Sequence, residues 1–418
     1  MSGRGTVRVP GDKSISHRSL ILAALASGES RIRGILESAD IQSTASVLRS
    51  IGATVPDLSP SFTMWGKGLK GFTAPGAPLN AGNSGTTVRL MAGAVSACDF
   101  ESRFEGDASL SRRPMKRIAE PLTAMGARFD FARDDGLPMT VQGGRLSGIA
   151  WNTRAASGQT KSAILLAGLV GGVQVSVREL QKSRDHTERM LISMGAPVET
   201  DDLTVSLSPV DSLAPLDITI PGDPSSAAYF IALGLLRKTG YIILPEVCIN
   251  RTRTGFMDKL IEMGAEIECE DAVAVAGDTS ATIIARPSTL KDAVIEEADV
   301  AAMIDELPLL GCIAASLGLT LEVRGAAELR VKESDRISSL VSNLNAIGAR
   351  AEERPDGFRI LRGLRTFHGH VETHGDHRIA MAFGVLGALP GNDISIDNLH
   401  CVDISYPSFW SELERVSQ

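Results

Sequence analysis

The sequence predicts an α/β fold of two similar domains, each built from three repeated units. Three observations predict it. Apolar, small-residue runs recur six times, each directly after a short polar loop. A hydrophobe-Gly-Ala turn recurs five times, its glycines separated by 74, 69, 69 and 84 residues. Residues of β-forming type lead into the apolar runs and follow the turns, which gives a unit of about 70 residues repeated along the chain.

The first unit opens with Thr6-Val7-Arg8-Val9-Pro10, a β-like lead-in, followed by Gly11-Asp12-Lys13-Ser14-Ile15-Ser16-His17-Arg18 and the run from Leu20 to Ala26. Asp12–Ser16 reads as a loop capping a helix that stops at Ser27-Gly28. Unpaired N–H groups and the positive end of the helix dipole attract anions there, and Lys13 and Arg18 add formal charge. The spacing is not that of a nucleotide P-loop, because Asp12 separates Gly11 from Lys13. Equivalent loops follow at Gly82-Asn83-Ser84-Gly85-Thr86, Ser157-Gly158-Gln159-Thr160-Lys161-Ser162, Gly222-Asp223-Pro224-Ser225-Ser226, Ile304-Asp305-Glu306-Leu307-Pro308 and Gly375-Asp376-His377-Arg378. The helices after them are apolar all round and rich in Ala and Gly, so they belong in crowded, buried places.

Between these helices lie amphipathic ones, each ended by a glycine C-cap at Gly52, Gly126, Gly195, Gly264 or Gly348. A sixth copy is the truncated helix around Phe409–Val416. Six units divide as three plus three, with the break near Ile218–Asp223, where Pro221-Gly222 precedes the fourth copy. Repetition aims six capped helix starts in a common direction, which suits a substrate with several negative charges.

The bulk properties set limits on function. A chain of 418 residues is too long for one core. Its apolar content of 43% and charged content of 22% are those of a globular protein, and no run spans a bilayer. The N-terminus lacks the apolar core of a signal peptide, so the expectation is a cytoplasmic protein with no membrane partner. Cys98, Cys248, Cys269, Cys312 and Cys401 are scattered and read as small buried hydrophobes in a reducing compartment. A net charge of −8 argues against nucleic acid as the main partner, but not against a small anion held by locally concentrated cations.

Those cations are Lys13, Arg18, Arg89, Arg112, Arg113, Lys161, Arg184, Lys332, Arg336 and Arg378, all in or beside the repeated loops. A lone arginine at a helix start is usually a salt-bridged one; ten in an acidic protein favour anion binding. Arg113 and Arg378 suit bidentate clamping of a carboxylate or phosphate. Among the carboxylates, Asp335 reads as a charge neutraliser, while Asp305 and Glu333 read as proton-transfer groups. His368, His370, His374 and His377 lack the pattern of a metal site, so no metal or cofactor is expected. His186 reads as a hydrogen-bonded structural or substrate-contacting residue rather than a general base.

Taken together, GDKSISHR, GNSGTTVRL, GDASLSRRPM, SGQTKSAILLAGL, SRDHTERML, PGDPSSAAYF, MIDELP, ELRVKESDR and GDHRIAMAF, in this order, closely resemble the EPSP synthase family from Val9 to about Trp410. The resemblance implies two domains of three inverted α/β units each, an inside-out, α/β-barrel-like enolpyruvyl transferase fold that closes like a clamp on a cleft. Residues 1–12 with 222–418 would form one domain and 13–221 the other, hinged near 10–13 and 219–223. It implies transfer of the enolpyruvyl group of phosphoenolpyruvate to the 5-hydroxyl of shikimate 3-phosphate, without a cofactor, by a monomer. Lys13, Ser14, Arg18, Ser157, Gln159, Arg184, Asp305 and Lys332 would hold shikimate 3-phosphate. Lys13, Gly85, Arg113, Gln159, Arg336 and Arg378 would hold phosphoenolpyruvate, with Asp305, Glu333 and Lys13 catalytic.

The chain departs from the family pattern at Ile404, where many members carry lysine, and at Leu90, where many carry proline. These features and the RDHTE stretch resemble the class II branch, often insensitive to glyphosate and commonly alanine where Gly85 stands. Gly85 leaves room for the inhibitor. The related UDP-N-acetylglucosamine enolpyruvyl transferases carry GAKN in place of GDKS and a loop cysteine, whereas no cysteine lies between Cys98 and Cys248 here. A non-catalytic sensor of phosphorylated metabolites would not need Asp305 and Glu333.

Overall fold

In the first five repeats of the structure, a computed structural model that describes residues 4–275, 277–363 and 366–417, the same succession returns: strand, buried helix, strand, second helix, closing strands; the sixth stops at its second helix. The six buried helices are Lys13–Leu25, Gly85–Val95, Gly158–Gly171, Pro224–Leu236, Leu307–Leu317 and His377–Gly387. Five start at a side-chain cap: Asp12, Ser84, Ser157, Asp223 and Asp376 each accept from a backbone N–H of the first turn. The fifth helix instead carries Pro308 in its first turn, where a missing N–H costs nothing.

One expectation is overturned by the first helix. Asp12–Ser16 is not a loop. The Asp12 carboxylate accepts from the Ile15 N–H at 2.8 Å, so the helix begins at Lys13. Ser14 and Arg18 therefore stand one turn apart on one helical face.

The hydrophobe-Gly-Ala turns have a local cause. Gly52, Gly126, Gly195, Gly264 and Gly348 have φ of +89°, +120°, +83°, +108° and +95°, which a side chain at Cβ disfavours.

Six separate sheets form among the described residues, with no closed barrel. In the third repeat, Ile149–Asn152 runs parallel to Val175–Arg178, which is joined antiparallel by Thr204–Leu207 and then Val198–Asp201. The second and fifth repeats follow the same plan. The first and fourth exchange their leading strands. Arg4–Thr6 pairs parallel with Tyr241–Cys248, with Arg4 opposite Tyr241. Asp217–Thr219 pairs parallel with Ser27–Arg33, with Asp217 opposite Arg31. Two compact domains result: Gly11–Ile220 with Val275–Asp278, and Pro221–Ala274 with Thr279–Gln418 and Met1–Pro10.

In the Gly11–Ile220 domain the Gly85–Val95 and Gly158–Gly171 helices pack closely. A Cβ at Gly93 would lie 2.3 Å from the Ala163 carbonyl oxygen. Gly93→Ala is therefore expected to cost about 1–3 kcal/mol or more through backbone displacement. A thermal melt with an unchanged midpoint would contradict this close approach.

In the other domain the Pro224–Leu236, Leu307–Leu317 and His377–Gly387 helices pack together over a core that includes Phe230, Phe383, Tyr406 and Phe409. Cys248, Cys312 and Cys401 are buried and Cys98 is half-buried. Cys269 departs from its expected buried place: its strand, Glu266–Val275, faces solvent along most of its length. No helix among the described residues is long and apolar enough to cross a membrane.

Candidate active site

In the Gly11–Ile220 domain the functional side chains stand on the starts of three buried helices, joined by Arg113 after a short 3₁₀ turn and Arg184 just before the His186–Ser193 helix. Arg18 is buried and donates from Nε to Thr187 Oγ1 at 2.7 Å, from Nη2 to Ser162 Oγ at 2.8 Å and from Nη1 to the Ser14 carbonyl at 3.0 Å. These bonds tie the first buried helix to the third and to the His186–Ser193 helix. Arg184 donates to Ser14 Oγ at 3.4 Å, which brings it to the same helix start as Lys13. Lys13 is ion-paired with Asp40. Ser157 caps its helix, accepting from the Thr160 N–H at 3.3 Å and from its hydroxyl at 3.1 Å. Gln159 accepts from Arg89 at 2.8 Å and donates to Thr86 at 2.9 Å. Arg113 donates to Asn83 Oδ1 at 2.7 Å. The guanidinium groups of Arg113 and Arg89 flank Gly85, where a Cβ would come within 3.6 and 2.7 Å of them respectively.

His17 adds no charge to this array. Burial, reinforced by Lys13 and Arg18, pushes its pKa well below the ordinary histidine value. Its Nδ1 lies 2.7 Å from Thr44 Oγ1, which continues at 2.6 Å to Thr87. Lys161 also departs from the anion-binding reading. It is buried and paired at 2.7 Å with both Glu179 and Glu188. Burial alone would lower its pKa, but the two carboxylates outweigh it and hold Lys161 charged. Arg112 is exposed at the end of a short 3₁₀ turn. His186 is buried with Nδ1 2.7 Å from Asp278 Oδ2.

In the other domain five of the expected residues form one cluster around Arg336. This guanidinium is 1% exposed and pairs with Asp305 at 3.1 Å, Glu333 at 2.5 Å and Asp376 at 2.8 Å. Arg378 reaches Asp305 at 3.4 Å and Glu306 at 3.8 Å, and Lys332 reaches Asp305 at 3.7 Å. Burial would lower the Arg336 pKa, yet Asp376, Glu333 and Asp305 raise it above the ordinary arginine value. The same balance raises Arg378, chiefly through Asp305. Burial also works to push the Asp376 carboxyl up, but Arg336 outweighs it and holds the group below the usual carboxylate range. Glu306 goes the other way, pushed up by burial despite Arg378, while accepting from the Ser225 hydroxyl. Asp335 caps the Arg336–Ala346 helix and pairs with Arg330 at 2.7 Å, as a neutraliser would.

Sequence reasoning named Asp376 and Glu306 only as loop members, counted Arg89 among the anion-binding cations and did not name Asp40. The structure makes each a partner of an expected substrate contact. For Asp376 a signal existed, since it holds the cap position that Asp12 holds in the first repeat. His368, His370 and His374 lie on or beside an exposed strand, whereas His377 is buried in a helix start. Among the described residues no three metal-ligating side chains come together.

The model of the family described as EPSP synthase (3-phosphoshikimate 1-carboxyvinyltransferase) matches residues 2–413. A 3-phosphoshikimate 1-carboxyvinyltransferase of Sulfurihydrogenibium sp. is 44% identical, over 99% of this chain and 97% of its own length. The protein of that name from Bacillus subtilis is 39% identical over the same shares. Among solved structures, the EPSP synthase of Acinetobacter baumannii superposes with a TM-score of 0.86 at 39% identity, covering 99% of this chain and 96% of that one. The enolpyruvyl transferase NikO of Streptomyces tendae shares the fold, with a TM-score of 0.75 at 17% identity, covering 99% and 95%. With its family model matched almost end to end and relatives this similar, the chain belongs to the EPSP synthase family.

Proposed function

We infer that this chain transfers the enolpyruvyl group of phosphoenolpyruvate to the 5-hydroxyl of shikimate 3-phosphate and releases phosphate, through a tetrahedral addition–elimination intermediate. The family supports the reaction. The residue roles rest on one observation: Asp305 and Glu333 both grip the buried Arg336, with Arg378 and Lys332 beside Asp305. Two acids and three cations are thus held together by one domain before any substrate arrives.

In this reading Lys13, Ser14, Arg18, Ser157, Gln159, Arg184, Asp305 and Lys332 hold shikimate 3-phosphate. Lys13, Gly85, Arg113, Gln159, Arg336 and Arg378 hold phosphoenolpyruvate. Asp305 takes the proton of the 5-hydroxyl as its oxygen bonds to the carbon bearing the phosphate ester. Glu333, with Lys332 beside it, delivers a proton to the methylene carbon, making it a methyl group. The positive charge that develops on the ester carbon is stabilised by the carboxylates, while the arginines fix the phosphate and carboxylate. Elimination returns a methyl proton to Glu333 and breaks the bond to phosphate, which leaves carrying the proton that Asp305 took from the hydroxyl. Holding both reactants supplies orientation. Residues 10–13 and 219–223, where the chain passes between domains, serve as the hinges of closure.

Purified protein given shikimate 3-phosphate and phosphoenolpyruvate is expected to release phosphate, and to release none when UDP-N-acetylglucosamine replaces the first. No release with shikimate 3-phosphate would overturn the reading. Because Gly85 carries no side chain beside Arg89 and Arg113, micromolar glyphosate is expected to compete with phosphoenolpyruvate. Inhibition kinetics in which it fails to do so would refute that expectation.

A further inference from the structure

The amide of Gln159 is held in one orientation, and Arg89 holds it. Arg89 is 7% exposed. Its Nη1 donates to Gln159 Oε1 at 2.8 Å and its Nη2 to the Pro114 carbonyl at 3.1 Å. A guanidinium has only donors, so the amide atom facing it has to be the oxygen. Gln159 Nε2 is thereby turned to Thr86 Oγ1, 2.9 Å away. One amide hydrogen goes to that hydroxyl, which leaves the second for an oxygen of a bound anion. A flipped amide would present its carbonyl oxygen to the anion instead, and repel it.

We propose that Arg89 is a positioning residue of the transferase: it locks Gln159 as a hydrogen-bond donor toward phosphoenolpyruvate and ties the segment just after Arg113 to the same point. This deepens the function proposed above and rests on the role given there to Gln159. Gly85 belongs to the device. A Cβ there would lie 2.7 Å from Arg89 Nη1, the atom that donates to Gln159, so a side chain at that position has to displace the donor.

The test is a double-mutant cycle read by steady-state phosphate release, with phosphoenolpyruvate varied at saturating shikimate 3-phosphate. Arg89→Met and Gln159→Leu are each expected to raise KM for phosphoenolpyruvate by about tenfold, with a smaller change in kcat. The double variant should be no worse than the more severe single one, because Arg89 acts through Gln159. Arg89→Lys, which keeps a single donor nitrogen and the charge, should recover part of the loss. Gly85→Ala should reproduce the KM rise with Arg89 still present, and its cycle with Gln159→Leu decides the matter should Arg89→Met fail to fold. Effects that multiply in the double variants, or a KM within about twofold of the parent for Arg89→Met and Gly85→Ala, would overturn the proposal. A parent protein that releases no phosphate at all would instead bring down the transferase reading itself.

Discussion

Asp305→Asn and Glu333→Gln are each expected to lower kcat by roughly 10²–10⁴-fold while changing KM far less. Each variant keeps the shape of its side chain and loses the ability to exchange a proton at its oxygens. Each also keeps an oxygen for Arg336, which sits 3.1 Å from Asp305 and 2.5 Å from Glu333, so the cluster should survive the change. That separates chemistry from binding. A group that merely balances charge would, on the same substitution, weaken substrate affinity or stability and leave turnover of the bound complex nearly intact. Single-turnover measurements with both substrates saturating give the cleanest reading. A kcat within about tenfold of the parent for both variants would remove these acids from the reaction.

The second large effect is expected for Arg336→Met. The parent side chain is 1% exposed and joins Asp305, Glu333 and Asp376. Methionine fills much of its volume but leaves these carboxylates without their shared guanidinium. Breaking a buried ion pair from one side costs about 3–5 kcal/mol, which corresponds to a fall of about 10 °C in the midpoint for a domain of this size. The defect should also depend on pH with a definite sign. In the parent, Asp376 sits below the usual carboxylate range, so its contribution is present above the unfolded value and lost as pH falls through the folded one. Without Arg336 the buried carboxylates titrate higher than in the unfolded chain. Stability is then fully present below the unfolded pKa and lost as pH rises through the folded one. The deficit of the variant should therefore shrink between about pH 8 and pH 5. Melts across that range with a constant deficit would show that Arg336 is not the counterion of the cluster.

Much of the architecture was legible because its causes are local. An Asp or Ser accepts from a backbone N–H two or three residues on, and a glycine after a helix takes a positive φ that other residues resist. Such short-range rules repeat whenever the local sequence repeats, so the succession of helices and turns could be read residue by residue. The gathering of Asp305, Glu333, Arg336 and Arg378 was reached through equivalent loop positions and motif resemblance. Their mutual distances could not be.

Lys161 and Arg336 show why the remainder was hidden. Both follow a polar loop at a helix start, and although Glu333 stands three residues before Arg336, nothing in the local sequence names the distant partners of either. Lys161 is taken up by Glu179 and Glu188, 18 and 27 residues on, whereas Arg336 meets Glu333 nearby and carboxylates 31 and 40 residues away, two of the three expected to handle protons. Partner choice among buried charges is a tertiary matter, because each charge has to find compensation from whatever the packing brings near. The exchange of Arg4–Thr6 and Asp217–Thr219 between repeats has the same character. Three residues of strand carry no signal of their partner, which the assembled sheets select. By itself, then, the sequence determined where helices begin and end, since caps and glycines act over a few bonds. Which strand completes which sheet, and which cation answers which carboxylate, was decided by the folded chain, since those energies exist only once distant segments share one desolvated space.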